Sequence, residues 1–150
     1  MKNLFERGPL EEILGRIAAL KPDSQRYWGR MSVAQMMKHC RLALDNAMGN
    51  HFGKRAWWSY LLAPFWKSRY YSPKPFLIKN LPTHSAFEIA EEQTFQQEKE
   101  ALEAVLHHFY RAGPQLARNA VHPILGRFTP EQWAIGQYKH LDHHLRQFGV

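Results

Sequence analysis

The sequence predicts an all-α protein, a four-helix bundle with one long crossover between its second and third helices. Four segments carry apolar residues at helical spacing. Three of these segments begin with a capping pattern in which Ser or Thr stands three residues before Gln or Glu. No run of alternating β-branched residues predicts a strand. A chain of 150 residues is long enough for one core, so we expect a single domain over residues 1–150.

The first two helices are each delimited by residues that favour helix ends. The first is predicted over residues 9–20, because Pro9 suits a first helical turn and Pro22 cannot continue one. The second begins after Ser32, where "SVAQ" forms a capping box, and runs to about Met48 before a Gly-Asn stop.

The last two helices are predicted from the same kind of pattern. The third begins at Ser85 with "SAFE" and extends for about 25 residues until Gly113-Pro114, a length that is normal in a bundle. The fourth opens with "TPEQ", in which Thr129 is the N-cap and Pro130 the first helical residue, and it reaches the C-terminus.

A crossover of about 35 residues, "HFGKRAWWSYLLAPFWKSRYYSPKPFLIKNLPTH", joins the second and third helices. Loops of this length without structure are uncommon and usually functional, and a short helix is predicted within it over residues 55–63. Its most apolar window, "WWSYLLAPFW", contains a proline and is far shorter than the roughly 20 residues that cross a bilayer. The sequence therefore predicts no membrane segment.

Charge and cysteine content restrict the class of protein. The net charge is +7, but the basic residues are scattered rather than clustered, which disfavours nucleic-acid binding. The single cysteine, Cys40, excludes an internal disulfide and is typical of a reducing compartment. The N-terminal residues lack the pattern of a signal peptide. We therefore expect a soluble cytoplasmic protein.

Three histidines occur within "YKHLDHHLRQ" on the fourth predicted helix. At about 100° per residue, His144 falls with His140 on one inward arc, whose other members are Trp133, Gln137, Leu141 and Phe148. His143 lies about 60° outside this arc and is expected to face solvent or a partner. Histidines four residues apart can supply two ligands to one metal ion, although many such pairs bind nothing.

A third ligand has to come from another helix, and His39 in "MMKHC" is the best candidate. It lies at the edge of the apolar stripe of the second helix, where a bundle interior meets its opening. Taken alone, His39 is equally well interpreted as a boundary residue bound to a carbonyl. Cys40 lies at the centre of that stripe, so we interpret it as a buried structural residue rather than a ligand.

The remaining histidines and the carboxylates give weaker indications. His107 and His108 are expected at the surface, His51 and His84 in loops, and His122 in a turn, with the mouth of a site as its alternative. The Glu-x-x-His pairs of a di-iron bundle, a nucleophile elbow and a phosphate-binding glycine loop are all missing from the sequence. A mononuclear site made of imidazoles alone is the sharpest hypothesis.

The segments "SVAQMMKHC" and "QYKHLDHHLRQFGV", with "HPILGRFTPEQW" and "PFLIKNLPT", resemble the DinB/YfiT-like superfamily of proposed metalloenzymes, most nearly a branch known only as a domain of unknown function. The resemblance covers most of residues 30–150. It implies a four-helix bundle that binds a divalent metal, commonly nickel or zinc, through His39, His140 and His144. It also implies thiol-dependent chemistry, either transfer of a low-molecular-weight thiol to an electrophile or thiol-assisted isomerisation.

The expected function is accordingly a metal-dependent enzyme acting on a small molecule. Gln137 is expected to hydrogen-bond a group at the metal, and the carboxylates of a thiol are expected to meet basic crossover side chains, namely Lys54, Arg55, Lys67 or Arg69. The alternative is a non-catalytic binding or dimerisation module, in which the aromatic segment "WWSYLLAPFW" forms a homodimer interface. Plain packing of that segment under a long loop is an equally good interpretation.

Overall fold

The computed structural model describes residues 1–50, 59–72, 74, 76 and 84–150, and within them the protein is predominantly helical. In chain order the helices there are α1 (Arg7–Ala19), α2 (Val33–Ala47), α3 (Ser59–Tyr70), α4 (Phe95–Ala112), α5 (Pro114–Ala117) and α6 (Pro130–Gln147). Two short antiparallel strands, β1 (Val121–His122) and β2 (Gly126–Arg127), form a hairpin before α6. The prediction of a helical protein is confirmed, but the sequence patterns gave no indication of this hairpin.

The core lies between the long helices. Helix α2 packs against α4 and α6, and α1 packs against the same two helices. Because each helix repeats apolar residues every three or four positions, one face of each closes on the others. The largest fully buried side chains are Leu4, Ile13, Ile17, Met36, Met37, Leu44, Leu102, Leu106, Phe109, Trp133, Leu141 and Leu145. No helix in the described ranges is both long enough and apolar enough to cross a bilayer.

The helices that carry the three selected histidines begin where the sequence predicts. In α2, the backbone N–H of Gln35 donates to Ser32 Oγ at 3.2 Å, and Ser32 N–H donates back to Gln35 Oε1 at 2.8 Å. The same reciprocal pair joins Thr129 and Gln132 at the start of α6. These caps satisfy N–H groups that have no partner inside the helix and fix the register of both helices.

The predicted start of the third helix at Ser85 is wrong. Residues Ser85–Phe87 form one turn of 3₁₀ helix, the chain then runs without regular structure, and α4 begins only at Phe95. Tertiary contacts hold this segment away from a helix: Phe87 is buried, and Gln35 Nε2 donates to the carbonyls of residues 90 and 91. The local capping pattern is therefore overridden by side chains from α2.

The crossover helix ends further along the chain than predicted. Residues 55–58 of the predicted helix fall outside the described residues, and α3 continues past position 63, through a proline, to Tyr70. Its C-terminal end is tied to α6, because Lys139 Nζ donates to the carbonyl of Arg69. Tyr70 itself is buried against α6. These contacts with α6 explain why the helix extends toward the site.

Candidate metal centre

The imidazole rings of His39, His140 and His144 form one cluster between α2 and α6. The ring centroids are 5.0 Å apart for His39 and His140, 4.9 Å for His39 and His144, and 4.7 Å for His140 and His144. One nitrogen from each ring lies within 4.8 Å of the other two. His39 and His144 are buried and His140 is half-buried. The structure thus brings together the three histidines selected from the sequence.

Helix geometry explains the convergence. His140 and His144 are one turn apart on α6, so both rings leave the helix on the side that faces α2. His39 reaches them from α2, and its Nε2 lies 3.1 Å from Nε2 of His140. Two nitrogens 3.1 Å apart that each bound one zinc ion at about 2.05 Å would subtend about 98° at the ion, between octahedral and tetrahedral angles.

Two of the rings are oriented through their other nitrogen. His39 Nδ1 lies 2.9 Å from the carbonyl oxygen of Phe87, and His144 Nδ1 lies 2.8 Å from Gln147 Oε1. The Gln147 amide is itself fixed, because its Nε2 donates to the carbonyl of Trp28 at 2.6 Å. Both oxygens can only accept, so each Nδ1 carries the proton and each Nε2 keeps its lone pair. Metal-binding histidines are usually held by hydrogen bonds of this kind.

Burial keeps the cluster uncharged. Loss of hydration lowers the pKa of His39, and it lowers the pKa of His140 well below the usual value, with His144 and His39 adding repulsion. For His144, burial and then the neighbouring His39 lower the pKa to about 3. All three imidazoles are therefore neutral at pH 7, which is the form that binds metal ions.

The three side chains fit a divalent cation. Three neutral imidazoles form a nitrogen donor set suited to zinc or nickel and leave at least one position open. Ligands of a tetrahedral zinc ion are about 3.3 Å apart, so nitrogens within 4.8 Å of one another need to close by at most about 1.5 Å. Small rotations of the side chains supply a movement of that size.

Other residues considered from the sequence lie outside the cluster. His143 is half-buried, with its ring 5.5 Å from that of Trp28 and 6.1 Å from that of Phe76, so the chain's own aromatic rings cover it. His143 therefore lies outside the cluster and is only partly exposed. Cys40 is fully buried with Sγ 3.7 Å from Met36 Sδ, in agreement with a structural role. His107 and His108 are exposed as expected, and His51 lies outside the described residues.

A cavity of about 70 Å³ adjoins His39 and His140. Its wall includes Tyr70 from the crossover, Trp133 and Gln137 from α6, and also His84 and His122. His122 Nδ1 accepts hydrogen bonds from the backbone N–H groups of residues 124 and 125. It is therefore a turn residue, as predicted, and a wall of the cavity as well.

Sequence reasoning missed several residues that shape the site. Gln147 stands one turn after His144, and that spacing could have identified it as a partner for the ring. The carbonyl of Phe87 has no sequence signal, because any residue carries a carbonyl. Tyr70 comes from a crossover whose path the sequence does not indicate.

Comparisons with known proteins give one result. The family described as "Protein of unknown function (DUF1569)" matches residues 5–149. No curated protein and no solved structure matches the chain. The family match gives no link to the DinB/YfiT-like superfamily. Because the matched range covers nearly all of the sequence, the chain belongs to the DUF1569 family, whose description states no function.

Proposed function

We propose that this protein is a metal-dependent enzyme in which His39, His140 and His144 hold one divalent cation, zinc or nickel. The observation that carries the proposal is the convergence of three neutral rings, two of them fixed through Nδ1. A cation held by three neutral ligands keeps its full charge and supplies a Lewis acid that makes water or a thiol more acidic.

The chain's own side chains would arrange a substrate beside this centre. Gln137 lies one turn before His140, and its Nε2 donates to the Ala43 carbonyl and to the Tyr70 hydroxyl, each at 3.1 Å. The amide is therefore rigid, and Gln137 lines the cavity next to His39. Trp133 is fully buried and lines the same cavity.

The reaction class that we propose is thiol-dependent transfer or isomerisation, with a low-molecular-weight thiol as a substrate. It follows from the resemblance to the DinB/YfiT-like superfamily, and with it we propose a four-helix bundle made of α1, α2, α4 and α6. The contacts of α1 and α2 with α4 and α6 support this arrangement. The family match over residues 5–149 supports one domain along the chain.

Two of the basic residues proposed to receive thiol carboxylates are described. Lys67 is half-buried with Nζ 5.2 Å from the centre of the Phe128 ring, and Arg69 is exposed. Both belong to α3, whose last residue lines the cavity. Lys54 and Arg55 lie outside the described residues.

A non-catalytic dimerisation module is the second candidate, because Trp66 in the aromatic segment is 41% exposed. Trp57 and Trp58 of that segment lie outside the described residues. Light scattering of a Trp57→Glu/Trp58→Glu variant separates the two functions. A dimer that dissociates without loss of metal supports an interface, whereas a monomeric wild-type protein rejects it.

Elemental analysis tests the metal centre. We expect about one equivalent of zinc or nickel per chain as isolated, and loss of that metal in His140→Ala and in His144→Ala. His107→Ala, a change at an exposed histidine of α4, is the matched control and should retain it. Unchanged metal content in both cluster variants, with folding verified by far-UV circular dichroism, rejects the centre.

Activity is tested separately on the metal-loaded protein. Incubation with a panel of low-molecular-weight thiols and electrophiles should give turnover that is lost in His140→Ala. Metal binding without any turnover leaves the centre intact and rejects the proposed reaction class.

A further inference from the structure

Three buried side-chain atoms have no hydrogen-bond partner within the described part of the chain, and their residues all line one cavity. They are Trp133 Nε1, Gln137 Oε1 and His140 Nδ1. Positions 133, 137 and 140 are spaced by one turn each, so they share one face of α6. Buried polar atoms nearly always have a hydrogen-bond partner. Three unpaired atoms in residues that line one cavity therefore indicate that a molecule with polar groups occupies the cavity.

The orientation of Gln137 is fixed by its neighbours. Its Nε2 donates both hydrogens, one to the Ala43 carbonyl and one to the Tyr70 hydroxyl. Turning the amide over would set its oxygen against the Ala43 carbonyl, and two acceptors repel each other. Gln137 Oε1 is therefore held as an acceptor, and the side chain is 1% exposed.

Trp133 is held equally firmly and provides a donor. Its ring is fully buried, with centroids 5.1 Å from Phe128 in an edge contact and 5.8 Å from His122 in a stack. Indole nitrogen donates and cannot accept. Two residues of the cavity wall thus carry an unpaired donor, Trp133 Nε1, and an unpaired acceptor, Gln137 Oε1, on side chains that are fixed.

The cavity suits a small uncharged group. No Lys, Arg, Asp or Glu lines it among the described residues, and the polar side chains of its wall there are a phenol, an indole, two amides and imidazoles. A carboxylate would meet the oxygen of Gln137 with no cationic side chain opposite. The volume of about 70 Å³ admits only a few non-hydrogen atoms.

We infer that this cavity binds an uncharged group of the substrate that accepts a hydrogen bond from Trp133 and donates one to Gln137, as a carboxamide or an alcohol does. The catalytic meaning of this binding rests on the proposed metal centre, because the cavity borders His39 and His140. Binding itself requires no metal, and the two can be tested apart.

Four ligands of equal size provide the test: acetamide, 2-propanol, acetone and acetate. The ¹⁵N-labelled full chain is first treated with a chelator, because a bound cation would attract acetate. The indole N–H resonance of Trp133, assigned by its loss in Trp133→Phe, then reports occupancy. Acetamide and 2-propanol should shift it with a Kd of about 0.1 to 10 mM. Acetone, which cannot donate to Gln137, should bind about fivefold to tenfold more weakly, and acetate should not bind.

Variants test the two side chains by ligand-observed NMR. Trp133→Phe and Gln137→Met should each weaken acetamide binding by roughly tenfold, since each removes one hydrogen bond. Trp66→Phe, the same change at an exposed tryptophan, should leave the affinity unchanged. If one cavity variant fails to fold, the other provides the same comparison.

The outcomes separate this inference from the proposed enzyme. No response to acetamide and 2-propanol, or acetate binding as tightly as acetamide, overturns the inference. If the protein binds acetamide but carries no metal, the inference about the cavity stands and the metal centre is rejected. If the protein carries metal but binds neither neutral ligand, the metal centre stands and the inference about the cavity is rejected.

Discussion

Replacing Gly136 with alanine is expected to destabilise the protein, although alanine is the better helix former. Gly136 lies in α6 directly against Tyr70 of α3. A Cβ added at Gly136 would lie 1.8 Å from Tyr70 Cε1 and 2.4 Å from Cδ1. Carbon atoms in contact are about 3.5–4.0 Å apart, so the ring has to move by about 2 Å.

The magnitude follows from what holds Tyr70 in place. Its ring stacks on Phe128 with centroids 4.9 Å apart, and its hydroxyl accepts a hydrogen bond from Gln137. Losing both contacts costs about 2 kcal/mol, and the overpacked helix adds about 1 kcal/mol or more. The higher helix propensity of alanine offsets about 1 kcal/mol of this loss of stability. The net loss is about 2 kcal/mol, or about 4–8 °C in Tm for a chain of this size.

Urea unfolding followed by far-UV circular dichroism measures this loss. Gly15→Ala is the matched control, because Gly15 is an exposed glycine of α1 and an added Cβ there meets nothing within 4 Å. It should gain about 0.5–1 kcal/mol. In a Tyr70→Ala background, Gly136→Ala should also become stabilising, since the obstructing ring is gone. Equal gains from Gly136→Ala and Gly15→Ala in the wild-type background would refute the packing of α3 on α6.

Three further predictions concern the site and its supports. Gln147→Leu should lower zinc affinity by about 10- to 100-fold in a chelator competition, because His144 loses the acceptor that orients its ring; unchanged affinity contradicts that role. Cys40 should react with a thiol reagent at pH 8 only after unfolding, since it is fully buried and burial raises its pKa; rapid reaction of native protein contradicts the packing. Arg16→Ala should lower the free energy of unfolding by about 1–3 kcal/mol, because Arg16 binds a carboxylate and two carbonyls near the end of α6. Arg7→Ala, which removes an exposed ion pair, should change the free energy of unfolding by less than about 0.5 kcal/mol.

The features that could be predicted from the sequence depend on local spacing. The caps at Ser32 and Thr129 fix the register of α2 and α6, and helical periodicity then directs His140 and His144 toward α2. Each step uses residues within a few positions of one another, so no knowledge of distant contacts is needed. This explains why His140 and His144 could be paired from the sequence, whereas the set completed by His39 also drew on the family resemblance.

The features that could not be predicted depend on contacts between distant segments. The pattern at Ser85 is a good helix start, yet Phe87 is drawn onto His39 and its carbonyl orients that ring. Tyr70 reaches the cavity because Gly136 leaves room for it, a complementarity between residues far apart in the chain. Local propensity carries no information about such pairs.

His39 and His140 stand 101 positions apart, although their Nε2 atoms lie 3.1 Å apart. During synthesis on the ribosome, α2 emerges well before α6, which carries two of the three rings. A growing chain that lacks α6 therefore presents a lone imidazole and cannot assemble the cluster. Assembly of the cluster therefore waits until α6 has been synthesised and has docked on α2.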